Sequence, residues 1–518
     1  MSKPVYLGKL TLFWCSSCKV PVLDGKCACG QKTEKMTITP PGDIRPAFPY
    51  DVNRINEVSR KQFGADMIRP DEIVLYNKAP YEDRMEEIIC GGVILGTIRF
   101  ETEKTEWVLM PRIEGARRIC NTKTFTPEKM KSGELKNLIV LNDDAVPYVA
   151  EGTSVLVPGI YDVSDNISAE DEVIIITKKG EVVAAGRAKM SSEEMRNEPR
   201  GKAAKLRWKG TPADETSPEY RDDAESGFFS APRTWDDVIA ANRNILDTFE
   251  RRSIDFIRNT AGNMDKRVTC SYSGGKDSLV TLCLTNKALD DFDILFSDTG
   301  LEFDETLENV RKVAEIYGKP FRTTSAGNAF WEGWEINGPP SVDNRWCNKM
   351  CKLTPITALI EDNYAENGCL TFIGQRKYES LARAKSERVW RSQAVPNQIG
   401  AAPIQDWTAL HVWLYIFREK LPYNPLYEKG FDRIGCWLCP AASLADFMNL
   451  RITHPAYMAG LDEKLRPYAE DKGNPEEWIR YGFWRFGKLP PFMQHIAEAK
   501  GIITGNPAAD APAEKTGE

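Results

Sequence analysis

The sequence predicts a multidomain chain: a small four-cysteine module, a small β-barrel, and a large C-terminal α/β domain with a mainly parallel, doubly wound sheet. Three observations predict it. Cysteines at positions 15, 18, 27 and 29 crowd the first thirty residues, and short β-branched runs separated by glycine turns fill residues 135–195. From Thr234 to about residue 455, strand-like and helix-like segments then alternate, which is the pattern of a parallel sheet covered by helices. The 518 residues are too many for one core, and about three domains is the expectation.

Composition narrows the class. Hydrophobic residues make up 42% and charged residues 28%, as in globular proteins of the aqueous phase. No apolar run approaches the roughly 18–20 residues that span a bilayer. The N-terminus has no cationic start, apolar stretch and small-residue cleavage site, so a cytoplasmic location is expected. A net charge of −7 gives no overall field toward nucleic acid, so any RNA contact must come from a local patch. Thirteen cysteines in such a compartment point to metal or redox chemistry rather than disulfides.

Taken in order, residues 1–40 carry Cys15-Ser-Ser-Cys18 and Cys27-Ala-Cys29-Gly30, two thiolate pairs able to surround one tetrahedral zinc ion. The set resembles the two knuckles of a zinc ribbon, with all four positions filled and the metal structural. Residues 41–134 read as an α+β region without a chemical motif. In 135–200, Leu138–Leu141, 155–157, 173–176 and 182–184 read as strands. Residues 201–233 read as a polar linker that opens with Lys202, Lys205, Arg207, Trp208 and Lys209 and then turns acidic. Residues 456–505 read as a helical extension, and 506–518, rich in Ala, Pro and Glu, as a disordered tail.

The octapeptide Ser271-Tyr-Ser273-Gly274-Gly275-Lys276-Asp277-Ser278 stands between an apolar strand ending at Cys270 and a helical pattern from Leu279. A strand that turns through two glycines into a helix exposes backbone N–H groups at the positive end of a helix dipole, where phosphate binds well. Lys276 adds a mobile cation, and Ser273 and Ser278 add hydroxyls. Asp277 makes sense as a cap of the turn or as a ligand of magnesium. The glycine spacing is not that of a Walker A loop.

Two resemblances follow from these residues. The run from Pro147 through Glu151-Gly152, Pro158-Gly159, Gly180 and Gly186 to Met190 resembles a PUA domain, which implies RNA, tRNA included, as a partner. The octapeptide resembles the PP-loop of the ATP-pyrophosphatase and PAPS-reductase superfamily, whose fold is that of the adenine nucleotide α-hydrolases. Phe296-Ser-Asp298-Thr299-Gly300 is similar to that family's segment beside the nucleotide, and Gly374-Gln-Arg376-Lys377-Tyr-Glu379-Ser380-Leu-Ala-Arg383 to its G-x-R-x-x-E-S-x-x-R run. Arg376, Lys377 and Arg383 suit phosphate or sulfate oxygens, with a helix laced by Glu379–Arg383 pairing as the structural alternative. The resemblance covers about residues 235–455. It implies a nucleotide (PAPS, APS or ATP) held by Ser271, Ser273, Gly274, Gly275, Lys276, Asp277 and Ser278, with Lys276, Asp277, Arg376 and Arg383 carrying the chemistry.

Cys347 and Cys351 precede Cys436-Trp-Leu-Cys439 by about 85 residues. Four thiolates suit a [4Fe–4S] cluster or zinc, and the resemblance favours the cluster, although its first pair is normally two adjacent cysteines. Spacing of i and i+4 still places Cys347 and Cys351 on one helical face. The family's reductases attack the nucleotide with a cysteine near the C-terminus, and no cysteine follows Cys439 here. Two functions are therefore expected, the reductase slightly ahead. Motif coverage favours a sulfonucleotide reductase that yields sulfite with thioredoxin, ferredoxin or another electron donor. The ribbon and PUA-like modules favour an ATP-dependent tRNA sulfurtransferase.

Overall fold

The computed structural model describes residues 7–8, 11–210 and 233–503. Residues 211–232 of the expected linker, and the tail, lie outside the described residues. Strands β1 (Leu12–Cys15), β2 (Val20–Val22) and β3 (Glu34–Met36) form an antiparallel sheet in the order β2-β1-β3. Strands β4 (Ile44–Pro46), β5 (Val74–Lys78), β6 (Met85–Cys90), β7 (Val93–Glu101) and β8 (Glu106–Pro111) form a meander of five antiparallel strands. The amphipathic helix Pro49–Phe63 packs on this sheet and stops at Gly64, whose φ of 88° and position against the Glu134 carbonyl leave no room for a side chain.

The barrel comprises β9 (Leu138–Leu141), β10 (Val155–Leu156), β11 (Ile160–Val163), β12 (Glu172–Ile176), β13 (Val182–Ala188) and β14 (Lys202–Lys209). Its order is β10-β14-β13-β12-β9-β11. The apolar runs of β9 and β12 are continuous because both faces are covered. Ile139 and Ile175 face the barrel core, whereas Leu138, Val140, Ile174 and Ile176 join the core of the preceding sheet. One expectation is corrected here. Residues 202–209 are not the start of a linker but a strand between β10 and β13. Its buried positions are only Ala203 and Ala204, a weak apolar signal, and its charged residues sit on the outer face, where Arg207 pairs with Glu172 at 2.8 Å and Trp208 lies under Arg112.

The C-terminal sheet contains β15 (Arg267–Ser271), β16 (Asp293–Asp298), β17 (Phe321–Ser325), β18 (Cys369–Phe372), β19 (Val389–Arg391) and β20 (Gln398–Ala401). Its order is β17-β16-β15-β18-β20-β19, parallel except for β19. The chain winds outward from β15 through β16 to β17, then resumes on the other side at β18. The switch point therefore lies between β15 and β18, where ligands of open α/β sheets bind.

The N-terminal sheet is docked on this domain through buried charges. Arg45 holds Asp51 through two nitrogens (2.7 and 3.2 Å) and reaches Asp432 at 3.3 Å, and Arg84 reaches Asp446 at 3.2 Å. Asp83 accepts the Leu444 and Ala445 amides at the start of helix Leu444–Thr453, and Phe48 packs edge-on to Trp413. Asp51 is fully buried. Burial alone would raise its pKa, but Arg45, Arg54 and Arg84 hold the carboxyl below its ordinary value.

Two predictions follow from this packing. Asp51→Ala, which strands a buried guanidinium, is expected to cost about 3 kcal/mol in chemical denaturation of the full chain, against less than about 1 kcal/mol for Asp66→Ala in the exposed Arg60–Asp66 pair. Equal losses would contradict this. His411 is buried, stacked on Phe249 at 4.3 Å and bonded through Nδ1 to Thr408 Oγ1. Burial, then the Arg376 charge, pushes its pKa from 6.5 down to about 3. The unfolded chain takes up this proton first, so the His411 contribution is complete above pH 6.5 and fades as pH falls toward 3. Melting temperature followed against pH should flatten across that window in His411→Gln.

Candidate nucleotide site and metal centres

Strand β15 delivers the octapeptide to the carboxyl end of the sheet, and helix Lys276–Ala288 begins within it. Gly274 adopts φ 75°, and a Cβ there would strike Thr306 Cγ2 at 2.7 Å. Ser278 Oγ accepts the Ser273 amide (3.2 Å) and donates to the Gly275 carbonyl (2.9 Å), so its hydroxyl pins the turn. Tyr272 donates to Asn309 (2.6 Å) and anchors the turn on helix Asp304–Tyr317. Gly275 supplies no side-chain cap for the helix, so first-turn N–H groups face the turn without one. The Lys276 amide instead donates to the Tyr427 hydroxyl at 2.9 Å.

Gly374, just after β18, touches the start of this helix. A Cβ on it would lie 2.6 Å from the Asp277 carbonyl carbon and the Ser278 nitrogen. That contact places Arg376 beside Asp277. Arg376 is 1% exposed; its Nε donates to Asp277 Oδ1 (2.5 Å), and its NH1 and NH2 donate to the two oxygens of Asp43 (3.1 and 2.8 Å). Asp277 also accepts Lys276 Nζ at 3.0 Å. Burial opposes its charge, but Arg376 and Lys276 hold the carboxyl below its ordinary range. The rest of the motif is also paired. Lys377 meets Asp406 at 2.6 Å, Glu379 accepts the Arg376 amide at 2.8 Å, and Ser380 caps helix Leu381–Lys385. Arg383 pairs with Glu379, the structural alternative for this segment.

At the end of β16, Asp298 accepts the Gly300 amide and the Ser325 hydroxyl, both at 2.8 Å. Asp298 and Ser325 edge a cleft of about 320 Å³ lined by Phe296, Val310 and Phe321. Val310, which lines this cleft, also lies against Gly274 of the octapeptide. Thr299 turns the other way, donating to Glu302 (2.9 Å) and lying 3.4 Å from Cys436 Sγ. The sequence pattern missed Asp43 and gave Tyr427 no role. Asp43, in a Pro-Pro-Gly-Asp turn far from the octapeptide, offered no signal.

The two cysteine sets differ. Cys15, Cys18, Cys27 and Cys29 lie within 4.8 Å of one another, with Cys15–Cys29 and Cys18–Cys27 at 3.8 Å. A tetrahedron with Zn–S of about 2.3 Å has an edge of about 3.8 Å, so the donors fit one zinc ion and a zinc ribbon. The module seats on the C-terminal domain. The Ala28 amide donates to Ala241 O (2.9 Å), and the Asn242 side chain binds Leu23 N (2.8 Å) and Pro21 O (2.9 Å). Among the described residues, no other group gathers three ligand atoms so closely.

Cys347, Cys351 and Cys436 share a second neighbourhood, with Cys439 lining the same small cavity as Cys436. The i,i+4 helix expected at Cys347–Cys351 is instead a short helical turn, Trp346–Asn348, that runs into a π-helix, Lys349–Leu353. Burial raises the Cys347, Cys351 and Cys436 thiols, the Cys351 thiol to about 11. Among the described residues, these four thiols are not gathered within 4.8 Å of one another as the N-terminal four are.

The fold and this geometry define a doubly wound α/β domain whose glycine turn and helix start lie at the switch point of its sheet. Residues 267–442 match the phosphoadenosine phosphosulfate reductase domain, and residues 137–208 match the PUA domain. An uncharacterised protein of Methanocaldococcus jannaschii is 41% identical over 486 residues, 93% of this chain and 97% of that one. The adenosine 5′-phosphosulfate reductase of Geobacillus thermodenitrificans is 31% identical over 176 residues, 34% of this chain and 72% of that enzyme. The phosphate complex of phosphoadenylyl-sulfate reductase from Candida auris aligns with 37% of this chain and 94% of its own, at 21% identity and a TM-score of 0.30. The chain belongs to the phosphoadenosine phosphosulfate reductase family and carries a PUA domain. Among the described residues, no helix is long and apolar enough to cross a membrane.

Elemental analysis of the purified chain is expected to find about one zinc per chain bound by the N-terminal cysteines. Cys27→Ser should lower the zinc content and the melting temperature together, because the ribbon seats on Ala241 and Asn242. Full stability after zinc removal would contradict a structural metal.

Proposed function

We propose that this chain binds ATP in the octapeptide cradle and adenylates a base in RNA, after which a sulfur nucleophile displaces AMP. The observation that carries this reading is the setting of Arg376. The arginine expected to grip a phosphosulfate is buried and shared between Asp277 and Asp43. A fork already closed on two carboxylates supports a role in building the cradle rather than in receiving a sulfate.

In this reading, first-turn amides of helix Lys276–Ala288, Ser273 and Ser278 receive phosphate oxygens. Lys276 leaves Asp277 for the phosphates, and Arg376 remains as the counter-ion of Asp277. Tyr427 accepts the Lys276 amide, which leaves its own proton for an incoming anion. Asp277 is placed to hold magnesium on the phosphates once Lys276 has moved. The cleft beside Asp298 and Ser325 takes the nucleoside. The base carbonyl oxygen attacks the α-phosphorus and pyrophosphate leaves. Sulfide then attacks the activated carbon and AMP leaves with the former carbonyl oxygen, so the products are AMP and a thiocarbonyl base. The PUA domain presents the RNA. Cys347, Cys351, Cys436 and Cys439 would hold an iron–sulfur cluster able to store sulfur near this site. Cys90, Cys120 and Cys270 are buried with thiols raised by that burial, which leaves them poor nucleophiles.

The second reading is a sulfonucleotide reductase, favoured by relatives named adenosine 5′-phosphosulfate reductase at 28–31% identity. One anaerobic experiment separates the two. With ATP, bulk tRNA and sulfide, the chain should release AMP and pyrophosphate and leave a thiolated nucleoside. With adenosine 5′-phosphosulfate or its 3′-phosphorylated form and a dithiol, it should release no sulfite. Sulfite without thiolated RNA would overturn the proposal in favour of the reductase. Lys276→Ala should abolish the observed activity in either case.

A further inference from the structure

We infer that Asp43 is a positioning residue of the nucleotide cradle, so that the cradle is completed by the N-terminal part of the chain. The inference rests on reading the octapeptide as an adenine-nucleotide site. Asp43 stands well outside residues 267–442, in the turn between the ribbon and β4. Its Oδ1 accepts the Ala409 amide (2.8 Å) at the start of helix Ala409–Glu419 and Arg376 NH1 (3.1 Å), while Oδ2 accepts NH2 (2.8 Å). The third guanidinium nitrogen, Nε, is on Asp277. A planar guanidinium held by carboxylates on two of its edges has no freedom to rotate, so Asp43 sets the plane that sets Asp277.

The charge count gives this arrangement a purpose. Lys276 and Arg376 are balanced by Asp277 and Asp43, and all four lie in contact. When a polyphosphate draws Lys276 away, Asp277 keeps one partner only if Arg376 stays in place. Without Asp43, the guanidinium is free to close on Asp277 with both of its edges and drag that carboxylate out of the cradle. A second pair, Arg45–Asp432 at 3.3 Å, crosses the same boundary, and the Lys276 charge is felt at Asp432. The boundary between the two parts is thus tied at two places beside Lys276.

Calorimetric titration of the full chain with Mg-ATP, and separately with adenosine 5′-phosphosulfate, tests this on Asp43→Asn, Arg376→Gln and the double variant. Asparagine keeps the volume and the acceptor for Ala409, and thermal unfolding confirms the fold. Removing a negative charge would by itself tighten anion binding, so the sign is diagnostic. Asp43→Asn is expected to weaken whichever nucleotide the unmodified chain binds by about tenfold or more, and to add nothing once Arg376 is glutamine. Unchanged or tighter binding, or the same loss with and without Arg376, would overturn the inference. If Asp43→Asn unfolds, Asp43→Glu keeps the charge but displaces it, and normal binding there is equally fatal. An unmodified chain that binds only the phosphosulfate sinks the ATP reading while the same comparison still decides Asp43. One that binds neither sinks both.

Discussion

The guanidinium of Arg376, fixed between Asp277 and Asp43, is the constraint on which the site depends. It joins three stretches that are distant in sequence: the turn after the ribbon, the start of the helix after β15, and the loop after β18. A buried ion pair is weak evidence for net stability, because desolvation offsets much of the Coulomb gain. Its value here is specificity of geometry. Gly374 brings the β18 loop against the helix start, Arg376 locks that approach, and the cradle between β15 and β18 acquires one shape.

The same logic explains how the modules are assembled. The ribbon seats on Ala241 and Asn242, the five-stranded sheet meets Asp432 and Asp446 through arginines, and β14 reaches back to Arg112 through Trp208. The C-terminal extension packs Tyr481, Phe483 and Met493 around Phe100 of β7. The PUA domain therefore belongs to one packed body with the nucleotide-type domain. In the proposed reaction, an RNA held on that domain would keep a fixed relation to the cradle.

Much of this was legible in the sequence, for identifiable reasons. β9, β12, β15 and β16 are short apolar runs between turn residues, and the octapeptide needs Gly274 for a left-handed turn that few other residues adopt. The N-terminal four-cysteine set was readable because ligand spacing is a local property. β14 was not, because its buried side chains are two alanines and its other face is charged. The π-helix at Cys351 was hidden because a five-residue hydrogen-bonded turn leaves no distinct periodicity over so short a span. Asp43 could not be found at all: its role exists only once the fold brings it to Arg376, 333 residues away.

In the proposed reading, nucleotide binding engages both parts of the chain through this one arginine. Hydrogen exchange measured with and without Mg-ATP tests it most directly. Binding should slow exchange at the amides of residues 273–279 and, together with them, at Ala409, whose amide donates to Asp43. Protection confined to residues 273–279, with the Asp43–Ala409 contact unchanged, would contradict the account.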